Sequence, residues 1–135
     1  MILTIPIPSS ELATNKTSGW HYGKHSAMRK KAREDGYYLA LEDYNKNKEV
    51  YDMLYYTPNA IKGEWRLLIK VFHKNEKHCD DDNLEASTKN FRDGVFDFLK
   101  QKFGMNDRQI TLTTRDTSGR DKLNPRIEWE LKPRI

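Results

Sequence analysis

Cysteine is almost absent from this chain, since Cys79 is the one cysteine among its 135 residues. A single thiol excludes a disulfide within the chain. No stretch approaches the ~20 consecutive apolar residues that a membrane-spanning helix needs. The first ten residues also lack the basic segment of a secretory signal peptide. We therefore expect an intracellular, cytoplasmic protein with no membrane association.

Charged side chains of both signs are plentiful. The sequence has 24 Lys and Arg against 20 Asp and Glu, which gives a net charge of +4. A basic excess suits a polyanionic partner such as nucleic acid, although many soluble domains are mildly basic without that role. The length is typical of one folding unit, and we expect residues 1–135 to form a single domain.

Alternating apolar residues predict four strands. The strongest patterns cover 64–71 and 126–132, where every second residue is apolar and would face a core. Weaker alternation predicts strands at 3–8 and 109–115. A connecting loop is expected over 117–125.

The hydrophobic period changes to that of a helix after residue 83. A helix over 83–102 would align five residues on one face, and these are Leu84, Thr88, Phe91, Val95 and Phe98. Ser26 is a possible cap for an earlier helix, which Gly36 would weaken and which would resume over 37–44. We left 45–56 open. Together the patterns predict an α+β fold, with a mixed β-sheet packed against helices.

The most informative feature is a run of acids, Asp80-Asp81-Asp82, followed later by Asp107. Carboxylates held close together repel each other, so a fold that clusters them favours a bound cation. Hard oxygen ligands indicate Mg²⁺, with Mn²⁺ as an alternative. In extended backbone, Asp80 and Asp82 would share one side. Asp107 precedes a predicted strand, and an adjacent strand start could bring its carboxylate to the same point.

Asp82 also has a structural alternative. With Glu85 three residues later, it matches a helix N-cap with its capping partner. Capping does not account for Asp80, however.

Three motifs together resemble those of the RusA-type Holliday junction resolvases, crossover-junction endodeoxyribonucleases found in phages and prophages. The motifs are Asp80-x-Asp82-Asn83-Leu84, a helix with Lys89 and Asp93-Gly94-Val95, and Asp107-x-Gln109-Ile110. The resemblance implies that Asp80, Asp82 and Asp107 bind Mg²⁺ and that a helix lysine supports cleavage.

Lys89 is the counterpart of that lysine in this chain. The family's lysine commonly follows the Asn more closely, and Ala86 stands at that nearer position. An alternative role for Lys89 is an i,i+4 surface pair with Glu85.

The activity implied is hydrolysis of DNA phosphodiesters at four-way junctions, by paired symmetrical cuts, in recombination and repair. Because each chain supplies one site and a junction needs two cuts, a homodimer is expected. Two alternatives stay open. One is a non-catalytic nucleic-acid-binding module, and the other is a metal-dependent nuclease that acts on flaps or on RNA.

Basic and aromatic residues are interleaved over 16–33, a combination that suits phosphates and unstacked bases. The candidate DNA-binding residues are Lys16, Trp20, Lys24, Arg29, Lys30, Lys31 and Arg33. A solvated basic helix face is the alternative interpretation of this segment.

Overall fold

The computed structural model describes residues 2–6, 22–56, 62–74 and 81–134, with backbone alone for 6, 22–25 and 81–87. Its elements are β1 (Ile2–Pro6), α1 (Tyr22–Lys46), α2 (Lys48–Tyr55), β2 (Trp65–His73), α3 (Asp81–Phe103), β3 (Ile110–Arg120) and β4 (Arg126–Pro133). One turn of 3₁₀ helix, Asp107–Gln109, precedes β3. The α+β prediction is confirmed. None of the helices in these ranges combines the length and apolar character that crossing a bilayer requires.

The four strands form one mixed sheet in the order β1-β4-β2-β3. β4 is antiparallel to both of its neighbours, whereas β2 and β3 are parallel. Parallel neighbours need a crossover connection, which α3 supplies. Trp65 pairs with Ile110, so β2 and β3 begin at the same end of the sheet.

The core lies on one face of this sheet and follows the predicted alternation. The buried strand residues include Trp65, Leu67, Ile69 and Val71 from β2 and Ile127, Trp129 and Leu131 from β4. Helix α3 adds Val95, Phe98 and Leu99 to the same cluster. These side chains pack α3 against the sheet, and Lys89 and Lys100 on the same helix are exposed.

α1 and α3 cross at two glycines. A Cβ on Gly36 would overlap the carbonyl oxygen of Phe91, and a Cβ on Gly94 would overlap that of Arg33. The prediction that Gly36 weakens the helix was wrong, because α1 runs through it without a break. The glycine instead permits backbone contact between the helices.

Other predicted boundaries shift by a few residues. α1 begins at Tyr22, four residues before the predicted cap Ser26. The segment 45–56, whose pattern is ambiguous, contains α2. The expected loop over 117–125 shrinks to 121–125, because β3 continues as far as Arg120 by pairing with the end of β2. The amide of Asp121 then donates to the carbonyl oxygen of His73 at 2.8 Å. Tertiary pairing therefore extends β3 beyond its local sequence signal.

Candidate active site

Two adjoining cavities, of about 400 and 280 Å³, lie along the exposed side of α3. Four residues line both of them: Lys89, Asp93, Phe96 and Asp107. The first three occur at spacings of four and three residues and so share one helical face. Because the cavities share these walls, they form one continuous depression, which we call the α3 groove.

Asp107 is presented by a turn that its neighbours fix tightly. The side chain of Asn106 accepts from the amide of Arg108 at 3.0 Å, and the amide of Asn106 donates to the side chain of Gln109 at 3.0 Å. The side-chain nitrogen of Gln109, Nε2, also donates to the carbonyl oxygen of Gly63 at 2.9 Å. Gln109 in the Asp-x-Gln motif thus ties the turn to the segment before β2, and Asp107 stands exposed beside the groove.

The chain reaches this turn because α3 ends at a glycine. Gly104 has a φ of 75°, in the left-handed region that a glycine adopts without strain. Its amide donates to the carbonyl oxygen of Lys100 at 2.9 Å. This end of the helix turns the chain back and sets Asp107 against the face that carries Lys89 and Asp93.

The side chains of Asp80 and Asp82 are not described, unlike those of Lys89 and Asp107. Asp80 lies outside the described residues, and Asp82 is described by its backbone, in the first turn of α3. Asp81 and Asp82 are helical, so the condition under which Asp80 and Asp82 would share one side, an extended backbone, is not met at Asp82. Acidic residues are favoured in a first helical turn.

Lys89 and Asp107 line the same two cavities. The side chains of Asp80 and Asp82 lie outside the described part of the structure. The three-aspartate ligand set stays a prediction.

Asp97 also lines the groove and is held by an arginine of α1. Arg33 donates through Nε to Oδ2 at 2.5 Å and through Nη2 to Oδ1 at 2.7 Å. These hydrogen bonds lower the pKa of the Asp97 carboxyl, and they raise the pKa of the Arg33 guanidinium. Because both of its oxygens accept from Arg33, Asp97 is less suited than Asp93 or Asp107 to bind a cation.

The predicted DNA-binding residues are spread over several environments. Lys16 and Trp20 lie outside the described residues, and Lys24 is described by its backbone. Arg29, Lys30 and Lys31 are exposed on α1, where Lys31 pairs with Asp35 at 3.0 Å. Arg33 alone of the described members lines the groove.

The sequence analysis did not predict five of the charged residues that line the groove. They are Arg92, Asp93, Asp97, Lys100 and Arg115. The helical spacing from Lys89 could have indicated Asp93 and Lys100, which lie four and eleven residues further on. Arg115 enters through the pairing of β3 with β2, which has no local signal.

The carboxylates in the groove suit a hard divalent cation. Among the described side chains, no group of three or more His, Cys, Asp or Glu is placed to hold a metal. Mg²⁺ commonly takes one or two protein carboxylates and keeps waters and phosphate oxygens in its other positions. Asp93 and Asp107, which line the same two cavities, match that requirement.

Neither a known protein-family model nor a curated protein matches this chain. The resemblance to RusA-type resolvases therefore rests on the motif residues, and the chemistry of the site rests on the α3 groove.

Proposed function

We propose that this chain is a Mg²⁺-dependent endodeoxyribonuclease that resolves four-way DNA junctions. The observation that carries the proposal is that Asp107 and Lys89, from two of the motifs that suggest the resemblance, line one groove. They share it although the second half of α3 separates them in sequence. A carboxylate and an ammonium group beside one open cavity suit the hydrolysis of a phosphodiester.

Asp107 and Asp93 would hold the cation. When bound, Mg²⁺ lowers the pKa of a coordinated water and neutralises charge on the attacked phosphate. The turn built by Asn106 and Gln109 orients Asp107 before substrate arrives. Such preorganisation matters because a small misplacement of a positioning group lowers the rate strongly.

Lys89 would act as a point charge at the phosphate. Its ammonium group carries three donors and no acceptor, and it is exposed on the groove wall. A fixed positive charge stabilises the negative charge that develops in the transition state. Arg33 meanwhile satisfies Asp97, so that this carboxylate does not compete for Lys89.

Two ligand sets can be distinguished by experiment. The resemblance implies Asp80, Asp82 and Asp107, whereas Asp93 and Asp107 are the carboxylates that line both cavities of the groove. Cleavage by the variants Asp82→Asn, Asp93→Asn and Asp107→Asn decides between them, and Asp107→Asn must lose activity in either case. Loss in Asp93→Asn with activity kept in Asp82→Asn supports the pair in the groove, and the reverse supports the set from the resemblance.

The substrate also requires two copies of the chain. Each chain has one α3 groove and a junction needs two cuts, so we propose a homodimer acting on DNA inside the cell. Sedimentation velocity with and without a synthetic four-way junction should show two chains per junction. One chain per junction at saturating protein would contradict the dimer.

A panel of substrates tests the specificity. Equal amounts of four-way junction, flap, linear duplex and RNA hairpin are offered to the same protein. The proposal expects the junction to be cut fastest. Faster cutting of the flap or the RNA would make the chain a nuclease of that other specificity.

A further inference from the structure

We propose that one DNA strand lies in the α3 groove and that basic side chains at both ends of the groove bind the phosphates on either side of the cut. The inference rests on the proposed function and assigns its DNA-contacting surface to Arg92, Lys100 and Arg115. These residues are distinct from the basic segment 16–31 that the sequence indicated.

The groove has the length of a short run of nucleotides. Arg92 and Lys100, which line one cavity each, are eight residues apart on α3, and a rise of 1.5 Å per residue converts this to about 12 Å. One strand of B-DNA advances by about 3.4 Å per nucleotide. The groove therefore spans about three to four nucleotides, more than a single phosphate or a free nucleotide would fill.

The charges are distributed along the groove in a way that suits a strand. Lys100 lies at one end beside the paired Arg33, and Arg92 and Arg115 lie at the other end beside Thr113. The carboxylates Asp93 and Asp107 belong to both cavities and so lie between these ends. This arrangement places carboxylates in the middle and basic side chains on either side. It suits a strand in which one phosphate is bound through a metal ion and the neighbouring phosphates are bound directly by Lys and Arg.

The alternative site for the DNA is the exposed basic face of α1. Lys31 there is paired with Asp35, and its side chain is 76% exposed. Arg29, Lys30 and Lys31 do not line either cavity, whereas Arg33 does and pairs there with Asp97. A strand in the groove passes Lys89, which lines both cavities.

The test measures binding of a fluorescently labelled four-way junction as a function of salt, in Ca²⁺ and under conditions where no product forms. Lys100→Gln and Arg115→Gln remove one charge from each end. Lys62→Gln and Lys122→Gln are the matched controls, because both lysines are exposed and lie outside the groove. Circular dichroism monitors the fold of each variant.

Each groove variant should reduce the slope of log K against log salt by about 0.9, and the double variant by about 1.8. The controls should leave the slope unchanged. Arg115→Lys keeps the charge, so it should restore the slope even if Arg115→Gln disturbs β3. Equal slopes for wild type, groove variants and controls, or a loss of slope in Arg115→Lys as large as in Arg115→Gln, would overturn the inference.

The binding assay and the cleavage assay fail independently. If wild type cuts junctions but the groove variants bind with an unchanged slope, the strand path is wrong and the proposed function stands. If the groove variants alone lose slope but wild type cuts nothing, the strand path stands and the proposed nuclease activity is wrong.

Discussion

Asp107 is the residue on which both possible ligand sets depend. Replacing it by Asn removes the charge and keeps the shape, so the turn held by Asn106 and Gln109 should persist. Because a bound metal contributes several kcal/mol to transition-state stabilisation, we expect Asp107→Asn to lower the cleavage rate by about 100-fold or more. Junction binding and the unfolding midpoint should change little.

The matched control is Asp116→Asn. Asp116 is an exposed carboxylate on β3, is not among the groove residues, and accepts from the side chain of Ser118 at 2.6 Å. Its replacement should leave cleavage at the wild-type rate. Equal losses in the two variants would mean that overall charge, and not a site at Asp107, controls activity.

Gln109 should matter for positioning. Gln109→Ala removes the hydrogen bonds to Asn106 and to Gly63, each worth about 1 kcal/mol. We expect a modest loss of stability in urea unfolding. We also expect half-maximal cleavage to require a higher Mg²⁺ concentration, because Asp107 is no longer held in place. Unchanged Mg²⁺ titration of cleavage in Gln109→Ala would show that the turn does not orient the site.

The ion pair between Arg33 and Asp97 should give stability that depends on pH. Hydrogen bonding by Arg33 lowers the pKa of Asp97 below its ordinary 3.8, so the contribution is present above that pH and is lost as pH falls through the folded-state pKa. Both side chains are about half exposed, at 54% and 42%, so solvent screening limits the contribution to about 1 kcal/mol.

Urea unfolding of wild type and Asp97→Asn checks this. The variant should be less stable at pH 7, and the difference should shrink as the pH falls below 3.8 and through the lowered pKa of Asp97. Asp35→Asn, which breaks the i,i+4 pair with Lys31, is the control and should cost only ~0.2–0.5 kcal/mol. A difference for Asp97→Asn that grows on acidification would contradict the assignment.

The crossing of α1 and α3 is the packing feature that positions Arg33 over the groove. Gly36→Ala would force its new methyl group against the backbone of Phe91, and overpacking of this kind typically costs about 1–3 kcal/mol. The exposed helix position Asn45→Ala is the control and should be neutral or slightly stabilising, because Ala favours helix. Equal unfolding midpoints for the two variants would show that the helices can separate without cost.

The strands and α3 were predictable because each has a clean hydrophobic period. Trp65, Leu67, Ile69 and Val71 alternate in sequence and are all buried, and Ile127, Trp129 and Leu131 do the same. The prediction at Gly36 was wrong because helix propensity is a local quantity. The contact of Gly36 with Phe91 in the helix crossing depends on residues far away in sequence. The end of β3 was missed for the same reason, since pairing with Phe72 and His73 extends it.

The candidate site was predictable in part. The sequence motifs indicated Lys89 and Asp107, and the fold brings them to one groove. They did not indicate how Asp82 and Asp107 lie relative to each other, because that depends on the length of α3 and on the parallel pairing of β2 with β3. Arg92 and Arg115 acquire a role only through the position of β3 beside α3, which no spacing along the chain reveals.

For the molecule as a whole, the central claim is metal-dependent cutting of a four-way junction. The most direct measurement is cleavage of an end-labelled synthetic junction by the purified protein in Mg²⁺ and in EDTA, beside Asp107→Asn. We expect paired nicks at symmetrical positions in Mg²⁺ and none in EDTA or with the variant. Tight binding of the junction by wild type without cutting in Mg²⁺ would contradict it and would identify the chain as a DNA-binding module.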